Sequence, residues 1–435
     1  MGRESSLYRY GALFCLGWQL IGCEDKGPAL SLTSSSDVAS APDLELLDDS
    51  DARLGALTAQ VTIHSAVSQS SPILGYLRAG AQVKRSENFV ENSDCITGWY
   101  AIAPRGYVCT EKLATTDLKH PTLRAMSLQP RLDQALPWVY ARTTKVTALF
   151  RKSERKGVEL SGRIPRSTVM AIIGSWTAPD ESREPQRLGL RTDGHFVRAD
   201  DLKAASGSKF SGITLEDPKD LPVAFIVKPA VYRWKIDDTV SRGKKLQFHE
   251  KLKLTGRSKK RGKERYWATS DGDWVRHQDA TVIRRRFEFP DFVTPSTRWL
   301  DISIITGSMT AYEGERPVYT TLVSVGRDRL GDPETSASTA RGIFKIRSRH
   351  ISRPTAESAD ALLDAPWALE LENGQWLHAT PRHDRFGIEN SDGAIEVAPK
   401  DGAHLFGWLG ETLPQGWHGE VLLDSESTPR IVVRK

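Results

Sequence analysis

Residues 365–397 read APWALELENGQWLHATPRHDRFGIENSDGAIEV. Apolar and polar residues alternate on both sides of Asn373-Gly374, a dipeptide that supplies the positive-φ positions of a tight two-residue turn, so the first half is a β-hairpin. Strand parity puts Trp376 and His378 on one face. The second half is a polar loop punctuated by Gly387 and Gly393. After it, Pro399 opens a helix, KDGAHLFGWLGE, with Leu405, Phe406 and Leu409 on its apolar side. A loop held between a hairpin and a helix is built to present a side chain. At position 394 it presents only the methyl of an alanine.

The same alternation continues upstream. Trp299–Ile304 reads as a strand, MTAYEGERPVYTTLVSVG as a hairpin turning at Glu313–Arg316, and RGIFKI as another short strand. Residues 296–435 are therefore one mostly β domain with one packed helix. Before it, GWYAIAPRGYVCTEKL (98–113), QRLGLRTDGHFVRADDL (186–202) and ERYWATSDGDWVRHQDA (264–280) share a pattern. Each has a strand, a glycine turn, then Gly-x-aromatic-Val and a polar turn, as in the closing hairpin of a small barrel. With ILGYLRAGAQVKRSE (73–87) adding two strands, the first copy resembles bacterial SH3-like modules, which implies binding to peptidoglycan or peptide. The expected modules are 57–116, 130–204 and 220–288. The second and third are divergent, and plain β-spacers without a ligand account for them equally well. The fold class expected is mostly β: SH3-like small barrels followed by a β-sandwich with one or two short helices.

The amino terminus indicates the compartment. Arg3 and Arg9 precede Tyr10–Gly22, an uncharged apolar run of thirteen residues that is too short to span a bilayer and reads as a signal-peptide core. Leu20-Ile21-Gly22-Cys23 resembles a bacterial lipobox, which implies diacylation of Cys23, residues 1–23 as leader, and a lipid bilayer as partner. MGRESS also fits the loose N-myristoylation pattern, which does not call for an apolar core ending in Gly-Cys. An ordinary cleaved signal is the other reading, and it too exports the protein. Glu24 in place of Asp favours the outer membrane, facing the periplasm. Residues 24–56, rich in Ser, Ala and Asp, are expected to be a disordered tether, with a reach on the order of 30 Å.

At 26% charged and 39% hydrophobic, the 435-residue chain can bury more than one core. Of its four cysteines, Cys95 and Cys109 lie outside the leader. In an oxidising compartment they are positioned to form a disulfide, with two buried thiols as the alternative that spacing leaves open. The spacing gives no CxxC-type metal site, and neither a metal nor a cofactor is expected. The run Arg242–Arg265 holds eleven Lys or Arg. Beside Tyr266, Trp267 and Trp274 such a run suggests nucleic acid in a cytoplasmic protein; export argues against nucleic acid as a partner. LQFHEKLKL alternates as a strand does and SKKRGKE reads as its turn, so a solvated hairpin is the simplest account. Contact with an anionic envelope polymer is compatible with the net charge of +5.

The carboxy-terminal domain resembles the L,D-transpeptidase catalytic domain over nearly its whole length. The residues that carry the resemblance are WLDIS (299–303), MTAYEGERPV (309–318), VSVG (323–326), GIFKI (342–346), DAPW (364–367), LHA (377–379), HDRFG (383–387) and SDGAIEVAP (391–399). Members of that family cross-link peptidoglycan through a cysteine thiolate that attacks a stem peptide and expels D-Ala. Their site reads His-Gly, a loop, then Ser/Thr-His-Gly-Cys, an aliphatic residue, and Asn or Arg. By that resemblance His378 fits the first histidine, Ser391 the Ser/Thr and Gly393 the glycine. Asp392 stands where the second histidine belongs, Ala394 where the cysteine belongs, Glu396 where the Asn or Arg belongs, and Ala379 replaces the first glycine. Ser338-Thr339-Ala340-Arg341 departs from the usual Thr-Pro-Thr stretch.

Acyl transfer through a covalent intermediate needs a nucleophile activated by a base, and Ala394 has no lone pair. The resemblance thus implies an envelope lipoprotein whose transpeptidase-like domain binds or scaffolds peptidoglycan stem peptides or another wall polymer without turnover. His378 then survives as a hydrogen-bonded relic. Glu396 is expected to place a negative charge where stem carboxylates lie. Two alternatives stand beside this: an active transferase in which Ser391 or Asp392 acts as nucleophile, and a regulatory partner of an active L,D-transpeptidase.

Overall fold

In a computed structural model of the protein, the described residues are 51–153, 157–178, 186–354, 362–422 and 428–435. The proposed leader, lipobox and most of the tether lie outside them. Among the described residues, no helix is long and apolar enough to cross a membrane.

Among the described residues strands dominate, and the helix Pro399–Leu409 is the longest helical element. The carboxy-terminal sheet begins at the short edge strand Ile213–Thr214. It continues through Arg316–Leu322, Ser308–Glu313, Arg298–Ser303, Arg430–Arg434 and Gly342–Arg353. Leu300, Ile302, Met309 and Ala311 point to one side, into the main core with Leu405 and Leu409 of the helix. Gly342–Arg353 also pairs with Ala365–Leu371, which turns through Asn373-Gly374 into Trp376–Ala379, and Ile395–Val397 lies parallel to that last strand. Both hairpin turns fall where the alternation breaks, and the helix begins at Pro399 and buries Leu405, Phe406 and Leu409.

The first module departs from expectation at its amino-terminal boundary. Arg53–Ala56 is a strand paired with Gln82–Lys84 and Ala114–Thr115, with Leu54 and Ala56 fully buried. The tether therefore stops short of these residues: two apolar side chains that enter a core cannot stay solvated. Nor is this module a separate bead. Ile73–Leu77 pairs antiparallel with Trp417–Val421, so one sheet runs from the module into the carboxy-terminal domain, and Val61, Ile63 and Leu77 share a core with Leu369, Ile395 and Val397. Cys95 and Cys109 of this module are joined in a disulfide, packed on Trp99.

The second and third modules are seven-stranded arrangements spanning strands from Val139 to Ala204 and from Val223 to Ile283. The second also accepts Leu362–Leu363 of the last domain beside Val169–Met170. In the third, the basic hairpin is longer than its charge pattern indicates. Lys251–Arg261 runs on to a turn at Gly262-Lys263, because Ser258 and Lys259 continue the ladder opposite Trp267 and Tyr266.

The seam between the first module and the last domain carries a titratable group. His350 is 3% exposed; its Nε2 meets Ser348 Oγ at 2.9 Å, and Ser348 in turn donates to Glu370 at 2.7 Å. Nδ1 faces the backbone of Gly419, where an added Cβ would come within 2.5 Å of it. Burial, helped by Arg353, pushes the pKa of His350 down to about 3. The unfolded chain binds that proton near pH 6.5, so stability is complete above 6.5 and is lost as pH falls toward 3. Between pH 7 and 5, His350 alone should cost roughly 2 kcal/mol of unfolding free energy. Denaturant midpoints at the two pH values test this, with His350→Gln showing the shallower pH dependence.

Candidate functional site

His378 sits on the strand Trp376–Ala379 directly opposite Glu396 of Ile395–Val397. The neighbours Leu377, Ala379, Ile395 and Val397 face the core, so parity turns His378 and Glu396 together to the other side. His378 is buried, and its Nδ1 lies 2.9 Å from the Ala379 carbonyl. That contact requires the proton on Nδ1 and leaves the lone pair on Nε2. Burial holds its pKa below the ordinary value, although Glu396 pulls the other way. A neutral imidazole with a basic nitrogen is thus retained.

Glu396 is not a free negative charge in a cleft. It is 2% exposed, with Arg382 at 2.9 Å on one oxygen and His383 Nε2 at 2.8 Å on the other. His383 Nδ1 accepts from the Arg385 amide at 3.0 Å, so the ring proton lies on Nε2 and points at the carboxylate. Burial alone would raise the Glu396 pKa; the His383 hydrogen bond and the Arg382 charge outweigh it and bring it to about 2. The expectation of a misplaced charge is corrected here: Arg382, in the loop between the two halves of the site, pairs with the carboxylate, and His383 donates a hydrogen bond to it.

The loop itself is held from three directions. Arg142 of the second module donates to the Arg382 carbonyl, Ser208 of the following segment bonds Asp384, and His249 of the third module meets the Phe386 carbonyl at 3.2 Å. Phe386 is fully buried with Phe210 and Phe225.

Around Ala394, each of Ser391, Asp392 and Gly393 has a partner among the described residues. Ser391 is buried and donates to the Ala394 carbonyl. Asp392 is exposed and ion-paired with Arg327. Gly393, at φ +105°, has its carbonyl held by Thr339 Oγ1 at 3.0 Å and Gln375 Nε2 at 2.6 Å. A Cβ there would sit 3.3 Å from the Ser338 carbonyl, so the turn requires glycine on both counts. Thr339 also accepts from the Gly326 amide at 2.9 Å. The Ser338–Arg341 stretch thus buttresses the loop. Sequence reasoning missed Ser324, whose backbone pairs with Glu396 in both directions at 2.8 Å. Its hydroxyl has no partner among the described residues, but the residue is fully buried and offers a substrate no access. Residues 110–435 contain no cysteine.

Residues 297–421 match the model of the YkuD L,D-transpeptidase catalytic domain. No curated protein matches the chain. Similar solved structures are L,D-transpeptidases. One from Xylanimonas cellulosilytica is 16% identical, with 34% of this chain and 65% of that one covered and a TM-score of 0.24. One from Stackebrandtia nassauensis is 17% identical, with 33% and 58% covered and a TM-score of 0.23. One from Mycobacterium tuberculosis is 13% identical, with 49% and 90% covered and a TM-score of 0.24. The chain thus spans less than two thirds of the first two structures it matches.

Proposed function

We propose that this protein is an exported, lipid-anchored component of the cell envelope whose L,D-transpeptidase-type domain binds or scaffolds peptidoglycan without catalysing transfer. The observation that carries the reading is the state of the loop around position 394. The nucleophile's place holds a methyl, and the nearby groups that could substitute, Ser391, Asp392 and Thr339, are each engaged in holding the loop's shape. A hydroxyl that donates to a neighbouring carbonyl has no proton to give an activating base. The family match over 297–421 supports the peptidoglycan side of the proposal. The anchor at Cys23, on the outer membrane facing the periplasm, belongs to the same reading and rests on the lipobox resemblance, as the SH3-like character of the amino-terminal modules rests on their hairpin pattern.

Soluble protein lacking residues 1–23 should sediment with purified sacculi in the absence of any other protein. Failure to bind, with retention restored by an active L,D-transpeptidase, would favour the regulatory-partner reading.

A further inference from the structure

The segment that leaves the third module, Val282–Glu288, crosses the outer face of the strands Arg298–Ser303 and Ser308–Glu313 and leaves a groove of about 500 Å³ between them. Parity explains its floor. Leu300, Ile302, Met309 and Ala311 go to the core, so Asp301, Ser303, Ser308, Thr310 and Tyr312 are turned to the groove. The wall brings Arg284, Arg285 and Arg286 together with the exposed carboxylate of Glu288, and the terminal strand adds Arg434, so four guanidiniums face two carboxylates.

The charges do not cancel. Asp301, 5% exposed, takes Arg286 at 2.8 Å and both Nε and an NH2 group of Arg434, at 2.9 and 3.0 Å. That fixes two guanidiniums and spends the floor's one carboxylate. Arg284 and Arg285 remain, both exposed, positioned over the rings of Trp267 and Phe287 at 5.4 and 5.6 Å, and neither makes an ion pair with a described residue. Phe287 is 80% exposed at the lip. The floor hydroxyls bond one another or the backbone, Ser308 to Thr306, Thr310 to Thr320 and Ser303 to the Lys435 carbonyl. Each keeps lone-pair capacity for a further donor. A cavity of this size suits a small ligand. Unpaired guanidiniums favour a planar anion, a floor of hydroxyls favours a ligand rich in O–H donors, and an exposed ring at the rim, with Arg285 over one face, favours one with an apolar C–H face for the other.

We propose that this groove binds a carboxylated saccharide, with the carboxylate taken by Arg284 and Arg285, the sugar hydroxyls donating to Ser303, Ser308 and Thr310, and one ring face resting on Phe287. The proposal rests on the wall-binding reading for the choice of probe and narrows it to saccharide whose muramic carboxyl is free, that is, from which the stem peptide has been removed. It is separable from that reading in failure, because Arg284 and Arg285 stand outside the loop 383–397 and sacculus retention is measured independently.

The test is calorimetric titration of the full-length protein in detergent with N-acetylmuramic acid, N-acetylglucosamine and inorganic phosphate. N-acetylmuramic acid should bind at least tenfold tighter than N-acetylglucosamine, which differs by lacking the carboxyl-bearing arm. The double variant Arg284→Gln, Arg285→Gln should lose at least tenfold in that affinity, and Phe287→Ala should weaken it as well. These three side chains take no part in holding Asp301, so unchanged unfolding midpoints are expected and separate loss of binding from loss of fold. Equal binding of the two sugars, displacement by phosphate as effective as the sugar itself, or undiminished binding by the double variant would each overturn the assignment.

Discussion

Incubated with a tetrapeptide-bearing muropeptide, or with a carbapenem of the kind that acylates the cysteine of L,D-transpeptidases, the protein is expected to keep its mass. Intact-protein mass spectrometry should find no covalent adduct. The magnitude follows from the chemistry: in a well-studied protease, removal of the nucleophile alone cost on the order of a million-fold in turnover. Here the groups beside it offer no replacement, since Ser391 donates to the Ala394 carbonyl and Asp392 is held by Arg327. A stoichiometric adduct on Ser391, Asp392 or Thr339 would refute the non-catalytic reading. The converse experiment restores what is missing. Ala394→Cys supplies the thiol, while His378 keeps a lone pair on Nε2 because Nδ1 is engaged by the Ala379 carbonyl. A neutral base near a new thiol is the requirement for thiolate attack. Ala394→Cys with Asp392→His is therefore expected to gain a carbapenem adduct detectable within hours. The same pair carrying His378→Ala should not.

Much of this site can be read from residues close together in the chain. The Asn373-Gly374 turn, the parity of Trp376 and His378, the helix opened by Pro399 and the methyl at 394 all follow from local pattern, and the structure arranges the first three as that pattern requires. What could not be read depends on partners set by distant chain segments. Nothing in HDRFG announces that Arg382 and His383 fold back on Glu396, fourteen and thirteen residues further on, because an irregular loop has no period to project. The junction of Ile73–Leu77 with Trp417–Val421 is equally silent in sequence. It is made by backbone hydrogen bonds between strand edges, and these carry little side-chain code beyond alternation. The buried strand Arg53–Ala56 was hidden for a different reason: it is four residues long and follows a polar, Asp-rich stretch that sets the composition of any window around it.

Glu396→Gln should destabilise the fold by roughly 3 kcal/mol or more, the usual cost of removing one partner from a buried ion pair. The side chain keeps its volume, so no cavity forms. The loss is electrostatic: Arg382, 15% exposed at its side chain, and His383, at 12%, lose the carboxylate they share. The pH dependence distinguishes this from a packing defect. The folded pKa of Glu396 is about 2 against an ordinary 4.5, so its contribution is fully present above pH 4.5 and is lost as pH falls toward 2. The wild-type protein should lose about 3 kcal/mol through this one group across that window. The Gln variant, having nothing to protonate at 396, should show a correspondingly flatter curve below pH 4.5 and converge on the wild type near pH 2. Curves that stay parallel down to pH 2 would mean that the Arg382 and His383 contacts contribute nothing to folding. The same reasoning applies to the acylation experiment. Replacing Glu396 by the asparagine of the family pattern removes a buried counter-ion rather than an intruding charge. Ala394→Cys, Asp392→His should therefore acylate better with Glu396 in place than with Glu396→Asn added.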